Sequence, residues 1–214
     1  MKVVKHLFNF YINSSIHVAL ALYALTWITL LELDLKYDET VLYFVFYASI
    51  TGYNFVKYFD VAKFQHRRLT NWLRLIQVLS FFCFLLMCYY AFYLQFKTLL
   101  MISFFAVLTF FYAIPFIKKR HYTLRDVNGL KVYVIALVWV GATVFLPIIN
   151  EDVVLGANVF LLAIQRFIYV LVLMIPFEIR DLKFDSLKLQ TIPQKVGVRQ
   201  AKLYGVLMLS LIHI

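Results

Sequence analysis

The chain has 214 residues, of which 64% are hydrophobic, 19% aromatic and only 15% charged. A soluble domain of this length does not carry so little charge, so the composition predicts a membrane protein. The net charge of +10 does not call for nucleic acid, because the bases fall in loops between apolar runs, where membrane orientation accounts for them.

Residues 1–15 read as a short amphipathic lead with Lys2, Lys5 and His6, of the kind that lies at a membrane interface. The first apolar run, about 16–33, is nearly long enough to span. No small-x-small cleavage site follows it, so it is expected to stay as the first span and not to leave as a signal peptide. The next connection sets Glu32, Asp34, Asp38 and Glu39 against the single base Lys36. Cytoplasmic loops favour Lys and Arg, so this loop is expected outside.

A second span, about 41–56, leads into a basic stretch with Lys57, Lys63, Arg67 and Arg68. The third and fourth spans, about 72–94 and 98–117, are joined by a tight turn, and Lys118, Lys119, Arg120, Arg125 and Lys131 follow. The fifth, about 130–149, ends at Pro147 and the acidic turn Asn150-Glu151-Asp152. The sixth, about 153–177, opens into a loop with Lys183, Lys188, Lys195, Arg199 and Lys202. This alternation predicts a multi-pass integral membrane protein, in the inner membrane if bacterial, with its amino terminus and the three basic loops in the cytoplasm.

A seventh apolar run begins after Lys202 and reaches Ile214 well short of the roughly 20 residues a helix needs to cross. The expected fold is therefore all-α. It is a single transmembrane bundle over residues 1–214, with six spans and the start of a seventh, incomplete at its carboxy terminus. Cys83 and Cys88, five apart in an apolar run, read as core or lipid-facing residues. The histidines form no H-E-x-x-H pair, so zinc has no support. Arg166 lies inside the sixth span, where a charge is costly, and a buried structural pair is expected for it.

Chemistry concentrates in Pro176-Phe-Glu178-Ile-Arg180-Asp181-Leu-Lys183-Phe-Asp185, followed by Thr191, Pro193 and Gly197. The carboxylates stand at i, i+3 and i+7, within roughly 60° of one another on a continuing helix. Magnesium suits such a cluster, since it takes one or two protein carboxylates and leaves other positions to water and phosphate oxygens. Arg180, Lys183 and Lys188 lie near enough in sequence to meet the same phosphate. On spacing alone a solvated helix end with paired charges fits equally well.

The string Glu178-x-x-Asp181-x-x-x-Asp185, with Thr191, Pro193 and Gly197 after it, resembles the second aspartate-rich motif of the UbiA superfamily of intramembrane prenyltransferases. The resemblance implies transfer of a polyprenyl group from its diphosphate to an aromatic or other lipophilic acceptor, with magnesium held by two aspartate-rich motifs. It implies Asp181, Asp185, Glu178 and Asp60 as metal ligands. It also implies Asp181, Asp185 and Lys118 as catalytic, and Lys118, Lys119, Arg180, Lys57 and Asn54 at the diphosphate.

Family members carry about N-D-x-x-D-x-x-x-D after the second span, and here that pattern is degenerate. Alignment on Asn54 puts Tyr58 at a metal position, whereas alignment on Asp60 puts Lys57 at a leading acid and Phe64 at the last one. Either the first metal is lost, with Lys57 neutralising the diphosphate directly, or Asp60 holds it. Pro115-Phe-Ile-Lys118-Lys119 is similar to the family's P-x-x-K-R string. A non-catalytic relative that binds an isoprenoid or lipid diphosphate is the alternative reading. Membrane lipid is expected around either, and no protein partner is inferable.

Overall fold

The computed structural model describes residues 2–64, 71–114, 129–182 and 190–212, with the side chains of 2–3, 59–64, 71 and 211 outside that description. All the secondary structure described is helical. In hydrocarbon a backbone without water must satisfy its own N–H and C=O groups, and a helix does this within each apolar run. The order is α1 (Lys2–Asn13), α2 (Ile16–Glu32), α3 (Glu39–Phe64), α4 (Asn71–Ala91) and α5 (Phe96–Ala113). Then come α6 (Leu130–Val140), a π-helical turn (Gly141–Phe145), α7 (Leu146–Asn150), α8 (Ala157–Asp181), α9 (Ile192–Val196) and α10 (Val198–Ile212).

Trp72–Ala91, Phe96–Ala113, Leu130–Asn150 and Ala157–Asp181 are long and apolar enough to cross a membrane. The pair Val4–Asn13 and Ile16–Glu32, bent by 60°, makes a fifth if read as one broken span. Four or five thus stand against the six expected. The difference lies in α3, whose 26 residues are long enough but are diluted by tyrosines, Asn54 and Lys57, and, at a count of four, also in α2, which at 17 residues is short on its own.

Two local irregularities have physical causes. Between α1 and α2, Ser15 takes a left-handed conformation (φ 62°), which turns the chain so that the amphipathic lead leaves the direction of α2. Within the fifth apolar run, Pro147 has no N–H for the carbonyl four residues back, and the helix widens into its π turn just before it. Gly141, at the start of that turn, admits the Phe105 ring from α5. A Cβ there would stand 2.3 Å from ring carbons.

Helix α3 packs between α2 and α4, while α8 packs against α6 and α10. One core cluster joins Leu22, Val41, Phe44, Val45, Leu94 and Leu146. A second, Val140, Val144, Ile148, Val159, Leu162 and Ala163, carries the packing across to α8. At the bundle end opposite the α8 carboxylates, Asn150 ties three connections together. Its Nδ2 donates to Asp38 Oδ2 (2.9 Å), and its Oδ1 accepts from the Gln95 N–H (3.1 Å) and from Thr98 Oγ1 (3.3 Å). Its backbone carbonyl accepts from Gln95 Nε2 at 2.6 Å, and Lys97 pairs with Asp152 nearby.

Candidate functional site at the end of α8

Helix α8 runs through Pro176 to Asp181, so Glu178 and Asp181 sit on its last turns. They meet different surroundings. Glu178 is sealed in the bundle at 2% exposure, whereas Asp181 reaches the surface and accepts from Arg180 Nε at 2.9 Å. The Arg180 side chain is 68% exposed, and its guanidinium lies 5.3 Å from the Phe177 ring centre. An exposed pair of this kind contributes about 0–1 kcal/mol, little enough for either partner to be drawn to a ligand. Asp185, Lys183 and Lys188 lie outside the described residues.

The end of α3 arrives at the same end of the bundle. Asn54 is 3% exposed. Its Oδ1 accepts from Ser15 Oγ (2.9 Å), and its Nδ2 donates to Ser80 Oγ (2.8 Å). Ser80 in turn donates to the Ile76 carbonyl at 2.8 Å. One carboxamide thus joins the α1–α2 turn, α3 and α4. Lys57 Nζ donates to the Asn13 carbonyl (3.2 Å) and to Asn13 Oδ1 (3.3 Å), and Tyr58 Oη donates to the same carbonyl (2.8 Å). A cation there also favours the negative end of the α1 dipole.

Although Lys57 is an exposed residue, its ammonium end packs against Asn13 and Tyr58. That desolvation, and then the nearby Arg180 charge, push Lys57 below the ordinary lysine value. The ends of α3 and α8 therefore place two like charges within electrostatic reach of each other. The side chain of Asp60 lies outside the described residues, as do Lys118 and Lys119.

After α8 the chain re-enters at Thr191, whose N–H donates to Gln194 Oε1 at 3.0 Å as the start of α9. Pro193 is buried. Gly197 closes the helix at φ 84°, a conformation that glycine takes without a Cβ penalty. The T-x-P-x-x-x-G string thus builds a tight helical hook between α8 and α10.

Among the described residues no three His, Cys, Asp or Glu side chains are grouped to hold a metal ion. Magnesium needs only one or two carboxylates from a protein, and Asp181, at the surface, fits as one of them. Arg166, a second buried ionisable residue of α8, is 5% exposed and turns to α2. Its Nη1 donates to the Leu25 carbonyl (2.7 Å) and Nη2 to Thr29 Oγ1 (3.3 Å), with Glu32 Oε2 at 3.8 Å. It serves as an interhelical clamp. Ser15, Ser80 and Asn150 were not singled out by sequence reasoning; a polar residue inside an apolar run was the available signal only for Ser80.

The fold is that of an all-helical protein with four or five helices long and apolar enough to cross a membrane. Compared with family models, with curated proteins and with solved structures, the chain matches none.

Proposed function

We propose that the chain is a UbiA-like intramembrane prenyltransferase that takes a polyprenyl diphosphate at the α3–α8 end of its bundle, with that end facing the cytoplasm. The observation that carries the reading is the meeting of Arg180, Asp181 and Lys57 at one end, two cations beside a half-buried carboxylate. Arg180 offers a planar fork to phosphate oxygens and Lys57 a point charge. Lys118 and Lys119 are assigned to the same diphosphate by their place in the P-x-x-K-R-like string.

Asp181 would hold magnesium, with Asp185 as its partner. When bound, the ion stabilises negative charge developing on the departing diphosphate. In the transfer, the bond between the allylic carbon and the diphosphate oxygen breaks and the acceptor bonds to that carbon. The acceptor loses a proton and pyrophosphate leaves. The protein's own part is to fix the phosphates with Arg180 and Lys57 and to keep the prenyl tail among apolar spans, away from water.

One observation favours the second reading, a non-catalytic binder of an isoprenoid or lipid diphosphate. Asn54 bonds to Ser15 and Ser80, and Lys57 to Asn13, so the degenerate first motif performs structural work. Release of pyrophosphate from farnesyl diphosphate with an aromatic acceptor separates the two. Magnesium-dependent release by wild type, lost in Asp181→Asn, is expected for the enzyme. Binding without release would establish the second reading, and neither binding nor release would remove both.

A further inference from the structure

A half-open surface pocket of about 260 Å³ lies between the start of α6 and the segment leading into α9, lined by Gly129, Leu130, Tyr133, Gln190, Ile192 and Lys195, of which Tyr133, Gln190 and Lys195 are exposed. Two unusual backbone positions shape it. Gly129 stands at φ 69° and Gln190 at φ 46°, and the Gln190 carbonyl lies 3.7 Å from where a Gly129 Cβ would be. The chain thus folds both segments close together while leaving a space beside them. Several water molecules' worth of volume is available, enough for a phosphate and its ester arm.

The lining is asymmetric in charge. Lys195 contributes a cation and none of the six residues is an acid. Gly129 is the N-cap of α6 and makes no side-chain cap, so the first amides of that helix add positive potential on the same side. Leu130, Ile192 and Tyr133 supply an apolar wall, with Tyr133 stacked on Phe167 at 6.5 Å. A cation, hydrogen-bonding groups and an apolar wall together suit a phosphate ester attached to a hydrophobic body. Basic pockets between membrane helices take lipid headgroups on this principle.

We propose that this cavity binds the phosphate group of an anionic amphiphile, with Lys195 as its counter-charge. The site uses neither Asp181 nor Arg180 and does not depend on prenyl transfer. Its ligand is held against the α6–α9 junction, so binding stabilises the fold by mass action.

The test uses the full chain in phosphatidylcholine nanodiscs doped with increasing phosphatidylglycerol, with inorganic phosphate in solution as a separate arm, and reads the thermal midpoint. Phosphatidylglycerol should raise the midpoint of wild type. Lys195→Ala should require about tenfold more of it, the loss expected for one charge-assisted hydrogen bond. Leu130→Trp, which fills the cavity without changing charge, should abolish the rise. Arg74→Ala, which removes a like charge from the exposed start of α4 outside the cavity, should stay within about twofold of wild type, since surface attraction is diffuse. A Lys195-dependent rise with inorganic phosphate alone identifies free phosphate as the source and supports the same chemistry. Equal losses in Arg74→Ala and Lys195→Ala, or no change in both Lys195→Ala and Leu130→Trp, would overturn the site.

Discussion

The ends of α3 and α8 lie at one end of the bundle and both carry polar residues that the UbiA-like strings single out, yet they use them differently. On α3, Asn54 and Lys57 bond to Ser15, Ser80 and Asn13. On α8, Arg180 and Asp181 bond to each other at the surface. Asn54, buried and bonded to the α1–α2 turn and to α4, is part of the frame. Among the described residues Arg180 and Asp181 hydrogen-bond to each other, with the Phe177 ring against the guanidinium, which leaves further donors and acceptors of the pair for the ligand proposed above.

The largest effect expected from this contrast is on stability. Asn54→Leu leaves the buried Ser15 hydroxyl without its acceptor and takes a donor from the half-buried Ser80 hydroxyl, which keeps its bond to the Ile76 carbonyl. The change should cost about 3 kcal/mol, at about 1–3 kcal/mol for each group deprived of its partner. A fall of the thermal midpoint in detergent would show it. Asp181→Asn should move stability by no more than about 0.5 kcal/mol. If the two variants melt alike, the division between frame and ligand site fails.

At the opposite end of the bundle, Asn150→Ala should cost about 2 kcal/mol, because the Gln95 N–H and the Asp38 carboxylate lose partners together. Differential scanning fluorimetry reads this directly, and an unchanged midpoint would mean that Asn150 only decorates the turn. Gly141→Ala should cost about 1–3 kcal/mol through the Phe105 ring. Phe105→Ala in the same chain should return part of that loss, and absence of any rescue would place the strain elsewhere.

The smallest effect concerns Lys57. Its folded value is depressed below 10.5, so the folded state releases its proton first as pH rises. The unfolded state then holds more protons, and stability rises with pH in the window between the depressed value and 10.5. The midpoint of wild type relative to Lys57→Gln should rise as pH approaches 10.5 from below. A falling difference would contradict the desolvation of Lys57 by Asn13 and Tyr58.

The helices were legible because apolar runs of span length have few alternatives to a helix. Their packing partners were not. The bond from Asn150 to Asp38 crosses 112 positions, and hydrophobic periodicity carries no information over that separation. Arg166 was legible as a buried pair because charge inside a span demands one, but the choice of Leu25, Thr29 and Glu32 depends on how α2 and α8 face each other. The division of the first 33 residues into an amphipathic lead and an apolar run was legible, with its boundary at Ser15, but the 60° bend there was not, since a left-handed Ser15 needs no glycine to announce it. The π turn had a partial signal in Pro147. At the candidate site, spacing placed Glu178 and Asp181 on one helix face, but not that the bundle would seal the first at 2% exposure and leave the second at the surface.

The most direct test of the account is calorimetry of farnesyl diphosphate binding to detergent-purified full chain, with and without magnesium, in wild type, Asp181→Asn and Arg180→Ala. Magnesium should tighten binding to wild type. Asp181→Asn should erase that magnesium dependence, and Arg180→Ala should weaken binding about tenfold at either magnesium level, as expected for a lost charge-assisted contact. Binding that is equally tight in all three proteins, and equally dependent on magnesium, would contradict the assignment of the α8 end as the ligand site.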